Sequence, residues 1–311
     1  MFEFFAGGSV ILCGKQTESQ GGCVLGICTE QGIKAFAKPN GTDIIHIEYE
    51  DFGVIEMEIG DCEPKAEEVG TPAALVRGIM NCFIESGNIF GGFDAKISSG
   101  IPPKSGISSE SAFEVLIGKI ISGLFFENTV PELTVAKFGK IAENDYFGRP
   151  CGIANQLISS VGGTVFADFS EPDMPEYTKI DFDFAESGYT AALAESGDET
   201  EESSDAAKEM AFVAWNMGYT FLSEAEEAEF IALFPILRQK CGEKAVKQAL
   251  NFFEEKRKAE EGAKALELGN FAEFLQIYGN SESKPKIIKE EEAEAFAEEM
   301  EKQGFGVMFV L

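Results

Sequence analysis

The sequence is poor in imidazole, indole and positive charge. One histidine, His46, and one tryptophan, Trp215, serve 311 residues, and 25 Lys and Arg stand against 54 Asp and Glu. The formal net charge of −29 excludes the electropositive surface that nucleic-acid binding needs. It disfavours anionic membranes for the same reason. Seven cysteines are scattered without a CxxC pair, so with a single histidine a zinc site lacks its usual ligands. Several lie in apolar strings, Ile11–Leu12–Cys13 and Gly26–Ile27–Cys28, and read as small buried hydrophobes. No basic leader precedes Cys13, and the expectation is a reduced, cytoplasmic protein. No apolar run reaches the roughly 18–20 residues of a membrane helix. The longest, Val115–Phe126, is interrupted by Lys119 and two glycines and reads as a buried helix.

What is present is a globular composition, 44% hydrophobic with 28 Phe, in a length that favours two domains. Short apolar runs at Val10–Cys13, Cys23–Cys28 and Ile33–Ala37 predict separate strands joined by glycine-rich turns. Alternation at Ile55, Met57 and Ile59 predicts another. His46 sits in the alternating run Ile44–Tyr49 and reads as structural. Thr71–Pro72 opens a helix, Phe93–Ser98 a strand, and a long apolar helix follows over Ser109–Phe126. A capping box is expected at Ser111–Glu114. A helix over Pro131–Tyr146, stopped by Gly148, leads to strands at Thr164–Phe169 and Thr178–Phe182. From about Ser187 the texture changes: an acidic, solvated stretch over Gly197–Ser204 precedes helices at Ala206–Met217, Glu224–Phe234, Glu243–Glu255 and Ala263–Tyr278. The end reads as strand, helix, strand over Pro285–Lys289, Glu290–Lys302 and Val307–Leu311. Strands and helices mingle without a βαβ rhythm, which predicts α+β.

The segment Ile101–Ala112, rich in Pro, Gly and Ser, feeds the long helix. Backbone N–H groups at a helix start attract anions, so the segment suits a phosphate, although an ordinary connection has the same look. It lacks the GK[ST] ending of a Walker A loop.

Three stretches, in order, resemble motifs of the GHMP small-molecule kinases and of galactokinases in particular. Phe5–Gly22 (FAGGSVILCGKQTESQGG) resembles the sugar signature APGRVNLIGEHTDYNGG. Pro103–Glu114 resembles the phosphate loop PxGSGLSSSAxxE. Ala142–Gln156 (AENDYFGRPCGIANQ) resembles AENxxxGxPCGIMDQ. The resemblance implies a two-domain α+β fold. Residues 1–186 would form the mixed-sheet N-terminal domain. Residues 187–311 would form a helix-rich, ferredoxin-like C-terminal domain, shortened near its end. It further implies Mg-ATP-dependent phosphorylation of galactose or a related small sugar, with no nucleic-acid or membrane partner. Lys104, Ser105, Gly106, Ser108, Ser109 and Glu110 would face the nucleotide, with Ser109 placing magnesium if ATP binds. Lys15, Gln16, Glu18, Gly152 and Asn155 would face the sugar.

The departures from the pattern fall on the chemistry. Asn155 stands at the catalytic Asp position and Ser9 at the Arg position. An amide cannot take a proton, and general-base help is worth about 10²–10⁴ in rate. Lys15, Gln16 and Glu18 replace Glu, His and Asp of the sugar signature, keeping hydrogen bonds but changing charge. Lys104 replaces a phosphate-loop glycine, and Glu110 replaces a serine where a carboxylate repels triphosphate or complements the helix dipole. The glycine-rich third motif is missing after Tyr278, and Gly304–Phe305–Gly306 reads as a turn. The leading expectation is a galactokinase-like protein with little or no kinase activity. One alternative is an active kinase of shifted substrate, drawing its carboxylate from Glu143, Asp145 or Glu18. The other is a non-catalytic sugar sensor or interaction protein whose acidic half docks a basic partner.

Overall fold

Period-two alternation builds most of the strands, and an all-round apolar helix lies against them. The computed structural model describes residues 1–50, 52–102, 106–194, 202–279, 285–302 and 307–309. The N-terminal elements are β1 (Phe2–Cys13), β2 (Cys23–Pro39), β3 (Ile44–Tyr49), β4 (Gly53–Glu58), α1 (Pro72–Glu85), β5 (Phe93–Ser99) and α2 (Ser109–Phe125). Next come α3 (Glu132–Ile141), α4 (Ala154–Val161), β6 (Thr164–Asp168), β7 (Glu176–Ile180) and β8 (Tyr189–Ala194). The rest is α5 (Glu202–Met217), α6 (Glu227–Cys241), α7 (Glu243–Glu267), α8 (Phe271–Tyr278), β9 (Lys286–Lys289), α9 (Ala293–Lys302) and β10 (Val307–Phe309). Two compact units result, Met1–Val10 with Cys28–Gly162, and Ile11–Ile27 with Gly163–Leu311.

In the first unit the strand order is β4-β3-β5-β2, with β1 also paired to β2. β3 runs parallel to β5, and the other registered pairs are antiparallel, so the sheet is mixed. Ile45, Ile47 and Tyr49 of β3 point inward, as do Ala95 and Ile97 of β5. Helix α2 is buried on nearly every side through Val115, Leu116, Ile117, Ile120 and Ile121. Gly118 lets it approach α3, because an added Cβ would lie 2.7 Å from Val135 Cγ1. Phe83 of α1 packs among Phe90, Phe126 and Phe138, and burying such a ring contributes about 1.5–3 kcal/mol.

Two strands expected at Cys23–Cys28 and Ile33–Ala37 are one, β2. Gly32 does not turn the chain. A Cβ there would lie 2.3 Å from the Ala6 carbonyl and 2.5 Å from the Phe5 ring, so this glycine marks the close approach of β1. Helix α4 and strand β8 add to the elements expected.

In the second unit Cys23–Ile27 of β2 pairs with β6, and β6 with β7. A separate antiparallel sheet has the order β10-β8-β9. Val213, Leu222, Phe230, Leu237, Val246, Phe252 and Phe253 form the core of its helices. The helix expected to end at Glu255 continues to Glu267 as α7. Its charged midsection is a solvated face, with Lys258 paired to Glu254 and Glu255 and Lys256 to Glu260. The break comes at Gly269, where φ is +67°, and the Asn270 side chain caps α8 by accepting from the Glu273 N–H. The fold is α+β, mixed-sheet in its N-terminal part and helix-rich in its C-terminal part. No described helix is long and apolar enough to cross a membrane. Residues 197–201, 280–281 and 304–306, read above as loop, chain end of the missing motif and turn, lie outside the described residues.

Candidate functional site

The predicted site residues fall in both units. Ser9, Gly106, Ser108, Ser109, Glu110, Gly152 and Asn155 belong to the first; Lys15, Gln16 and Glu18 belong to the second. Lys104 and Ser105 lie outside the described residues.

In the first unit Gly7 and Gly8 bring β1 into backbone contact with its neighbours. A Cβ on Gly7 would lie 2.3 Å from the Thr29 carbonyl oxygen, and one on Gly8 2.6 Å from that of Ile107. The Ser9 N–H donates to the Ile107 carbonyl at 3.3 Å, and Ser159 of α4 donates its hydroxyl to Gly7 O at 2.6 Å. Ser9 is thereby fixed beside the first turn of α4. Its Oγ donates to Asn155 Oδ1 at 3.1 Å. Ser9 is buried and Asn155 half-buried. This pair is neutral, and neither member accepts a proton near neutral pH.

The entrance to α2 is bent by Gly106 (φ +77°) and Ser108 (φ +44°), the latter an unusual conformation for a residue with a Cβ. The capping box expected at Ser111–Glu114 does not form. The helix begins at Ser109, so both residues lie inside it and are buried. Glu110 sits in the first turn, where Ser109 Oγ donates to its Oε2 at 3.0 Å and Arg149 Nη1 to its Oε1 at 3.2 Å. Burial opposes the Glu110 charge, but Arg149, the residue's own N–H and Ser109 outweigh it and hold the carboxyl below its ordinary value.

Behind this entrance lies a cluster the motif reading passed over. Arg149 Nε donates to Glu143 Oε1 at 2.7 Å, and Nη2 donates to the same oxygen. Gln156 Nε2 donates to Glu114 Oε2 at 3.0 Å and to Glu143 Oε2 at 2.9 Å. The segment carrying Glu143 is a wide helical turn, Ala142–Phe147, ended by Gly148 at φ +84°, and Asn144 Oδ1 accepts the Cys151 N–H across it at 2.7 Å. Glu143, one of the carboxylates an active kinase of shifted substrate would draw on, is 1% exposed and committed to Arg149. Burial and then Glu143 push the Cys151 thiol above its ordinary value. A signal was present in the sequence: Glu114 is the lone carboxylate in the apolar run of α2 between Phe113 and Ile117.

In the second unit Gly14 (φ +85°) turns the chain after β1, and a Cβ there would lie 1.9 Å from the Cys23 carbonyl oxygen. Its N–H donates to Glu255 Oε2 at 3.1 Å, and Thr17 Oγ1 lies 2.8 Å from both the Gly14 and Cys23 carbonyls. The turn leaves Lys15 and Gln16 exposed and Glu18 half-buried, with Gln16 at φ +66°. Burial pushes the Cys13 and Cys23 thiols to about 12, which keeps them protonated and inert. Among the described residues no group of His, Cys, Asp and Glu is placed to hold a metal. An open cavity of about 460 Å³ lies on the first unit's sheet beside Phe36, Val54 and Lys96, and none of the predicted site residues lines it.

Residues 74–163, from α1 through the Asn155 helix, match the family described as GHMP kinases N terminal domain. The galactokinase of Lactococcus lactis subsp. cremoris (strain MG1363) is 27% identical over 296 residues, 91% of this chain and 72% of that protein. The chain is a galactokinase-like homologue of the GHMP kinases. The galactokinase of Streptococcus thermophilus is 29% identical over 184 residues, 58% of this chain and about half (47%) of that relative. In three dimensions this galactokinase-like chain is similar to Lactococcus lactis galactokinase complexed with galactose, with a TM-score of 0.81 at 21% identity over 99% of this chain and 92% of that one. It is also similar to the Methanococcus jannaschii mevalonate kinase, with a TM-score of 0.61 at 14% identity over 99% and 97%. The two-domain α+β architecture is that of the GHMP kinases.

Proposed function

We propose that this galactokinase-like chain binds a small sugar of the galactose class and phosphorylates it poorly or not at all. The observation that carries the reading is the Ser9–Asn155 hydrogen bond. Phosphorylating a sugar hydroxyl benefits from a group that takes its proton and a cation that steadies the phosphoryl charge. Serine and asparagine provide neither, and a missing base alone costs about 10²–10⁴ in rate.

The entrance to α2 supports the same reading. A free helix start would attract a triphosphate. Here Glu110 places a carboxylate there, and its oxygens are engaged by Arg149 and Ser109. These residues do not fit Mg-ATP. The competing reading, a working kinase with a relocated carboxylate, loses Glu143, which is buried against Arg149. Lys15, Gln16 and Glu18 still offer an ammonium, an amide and a carboxylate to sugar hydroxyls.

Calorimetric titration with galactose and then Mg-ATP, beside a coupled kinase assay, tests the proposal. The expected outcome is a heat of binding for galactose and no turnover. ATP-dependent phosphorylation that disappears in Asn155→Ala overturns the claim of impairment, and silence toward a panel of galactose-class sugars overturns the claim of sugar binding.

A further inference from the structure

Three carboxylates, Glu110, Glu114 and Glu143, surround one cation, Arg149. The guanidinium gives its hydrogen bonds to Glu143 and Glu110. Glu114, fully buried, receives only Gln156 Nε2, and that nitrogen serves Glu143 as well. Two carboxyl groups therefore meet across a single amide nitrogen, and one oxygen of each group lies within 3.0 Å of it. Meanwhile Glu114 Oε1 and Gln156 Oε1 are buried without a partner. Unpartnered buried oxygens destabilise the fold, and two like charges at such a separation do not both ionise readily. One hydrogen on the Glu114 carboxyl removes the repulsion and converts an orphan acceptor into a donor.

We propose that Glu114 carries a proton at neutral pH, and that this buried carboxylic acid, set beside Glu143 and its partner Arg149, fastens α2 to the start of the Asn155 helix. Glu114 lies on α2, Glu143 and Arg149 on the segment before α4, and Gln156 beside Asn155 on α4 itself. Among the described residues, the charged and titratable groups acting on the pair are Glu110 from α2, with Arg149 and Cys151 from the 142–151 segment. Helix α3 comes against the pair at Gly139, where a Cβ would lie 2.9 Å from Glu114 Oε2 and 3.0 Å from Gln156 Cγ. Among the described residues, Arg149 is the cation hydrogen-bonded to the pair. Burial first, and then the charge of Glu143, push the Glu114 carboxyl well above its ordinary value. The folded protein then binds a proton that the unfolded chain releases above the ordinary carboxyl range. Stability is full at acid pH and falls as pH rises toward the raised value.

This inference concerns how the site is held together and is independent of whether the chain turns over sugar. The experiment compares the full chain with Glu114→Gln. In infrared spectra at about pH 7, the wild type is expected to show a carboxylic-acid C=O band that the variant lacks. In urea unfolding across about pH 5 to about pH 9, the ratio of the variant's folding constant to that of the wild type is expected to grow with pH, by up to about tenfold per unit. Parallel stability profiles, or a wild type with no acid band at pH 7, overturn the proposal. The wild-type spectrum alone decides it if Glu114→Gln fails to fold.

Discussion

Asn155 and Gln156 are neighbours in the chain, yet they belong to opposite kinds of environment. Asn155 meets Ser9 in a neutral, half-buried pair; Gln156 reaches into a cluster of three carboxylates and a guanidinium, in which Glu114 and Glu143 are buried and Glu110 and Arg149 partly exposed. Charge is present where it is enclosed and bonded, and absent from the half-buried Ser9–Asn155 pair. The asymmetry has an energetic root. Removing one member of a buried ion pair strands the other in a dry interior at a cost of about 3–5 kcal/mol. Exchanging one half-exposed polar side chain for another costs the fold little.

The contrast can be broken most forcefully at Arg149. Arg149→Ala leaves the buried Glu143 without its cation, and urea unfolding is expected to show a loss of about 3 kcal/mol, the low end for a buried pair because Arg149 is itself partly exposed. A loss under about 1 kcal/mol would mean the cluster is a surface ornament. Gly139→Ala pushes a methyl group against Glu114 and Gln156, and a loss of about 1–3 kcal/mol is expected from overpacking, read as a lowered midpoint. Glu110→Ser sharpens the comparison from the ligand side. Freeing the α2 entrance is expected to tighten Mg-ATP about tenfold, worth about 1.4 kcal/mol, measured by calorimetry. The smallest effect belongs to the neutral pair. Asn155→Asp is expected to shift stability by less than about 0.5 kcal/mol and to leave turnover undetected in the coupled assay, because Ser9 still supplies no cation. Detectable turnover in that single variant would mean that the α2 entrance accepts Mg-ATP as it stands.

The fold was legible wherever side-chain periodicity and burial agree. The outward residues Ile44, His46 and Glu48 alternate with Ile45, Ile47 and Tyr49 in β3, and His46 pairs across the hairpin with Glu56 at 3.2 Å, as a structural residue should. The reading failed where a residue serves a contact its neighbours in sequence do not reveal. Gly32 looked like a turn because nothing nearby shows that β1 presses on it. Helix α4 escaped notice because Gln156, Ser159 and Ser160 are polar yet buried, spoiling the apolar period; Ser159 faces inward to bond Gly7, 152 residues away. The three motifs located Ser9, Glu110 and Asn155 by resemblance. The Glu114–Glu143 contact stayed hidden because it joins the ends of two motifs whose individual residues carry no sign of each other.

The backbone contacts of Gly7 and Gly8 bear on how such a protein changes over generations. With carbonyl oxygens 2.3 Å and 2.6 Å from where a methyl would sit, a substitution at either glycine forces neighbouring backbone apart and weakens the fold that everything else depends on. The next residue, Ser9, is held by its main chain, and its side chain is exchangeable. Positions whose backbone makes the fold and positions whose side chain can be exchanged thus alternate within a few residues, under unequal constraint. A lineage can abandon the reaction one side chain at a time while inheriting the architecture whole. At a position such as Ser9 the reverse exchange is equally short, a single side chain on a backbone that keeps its shape.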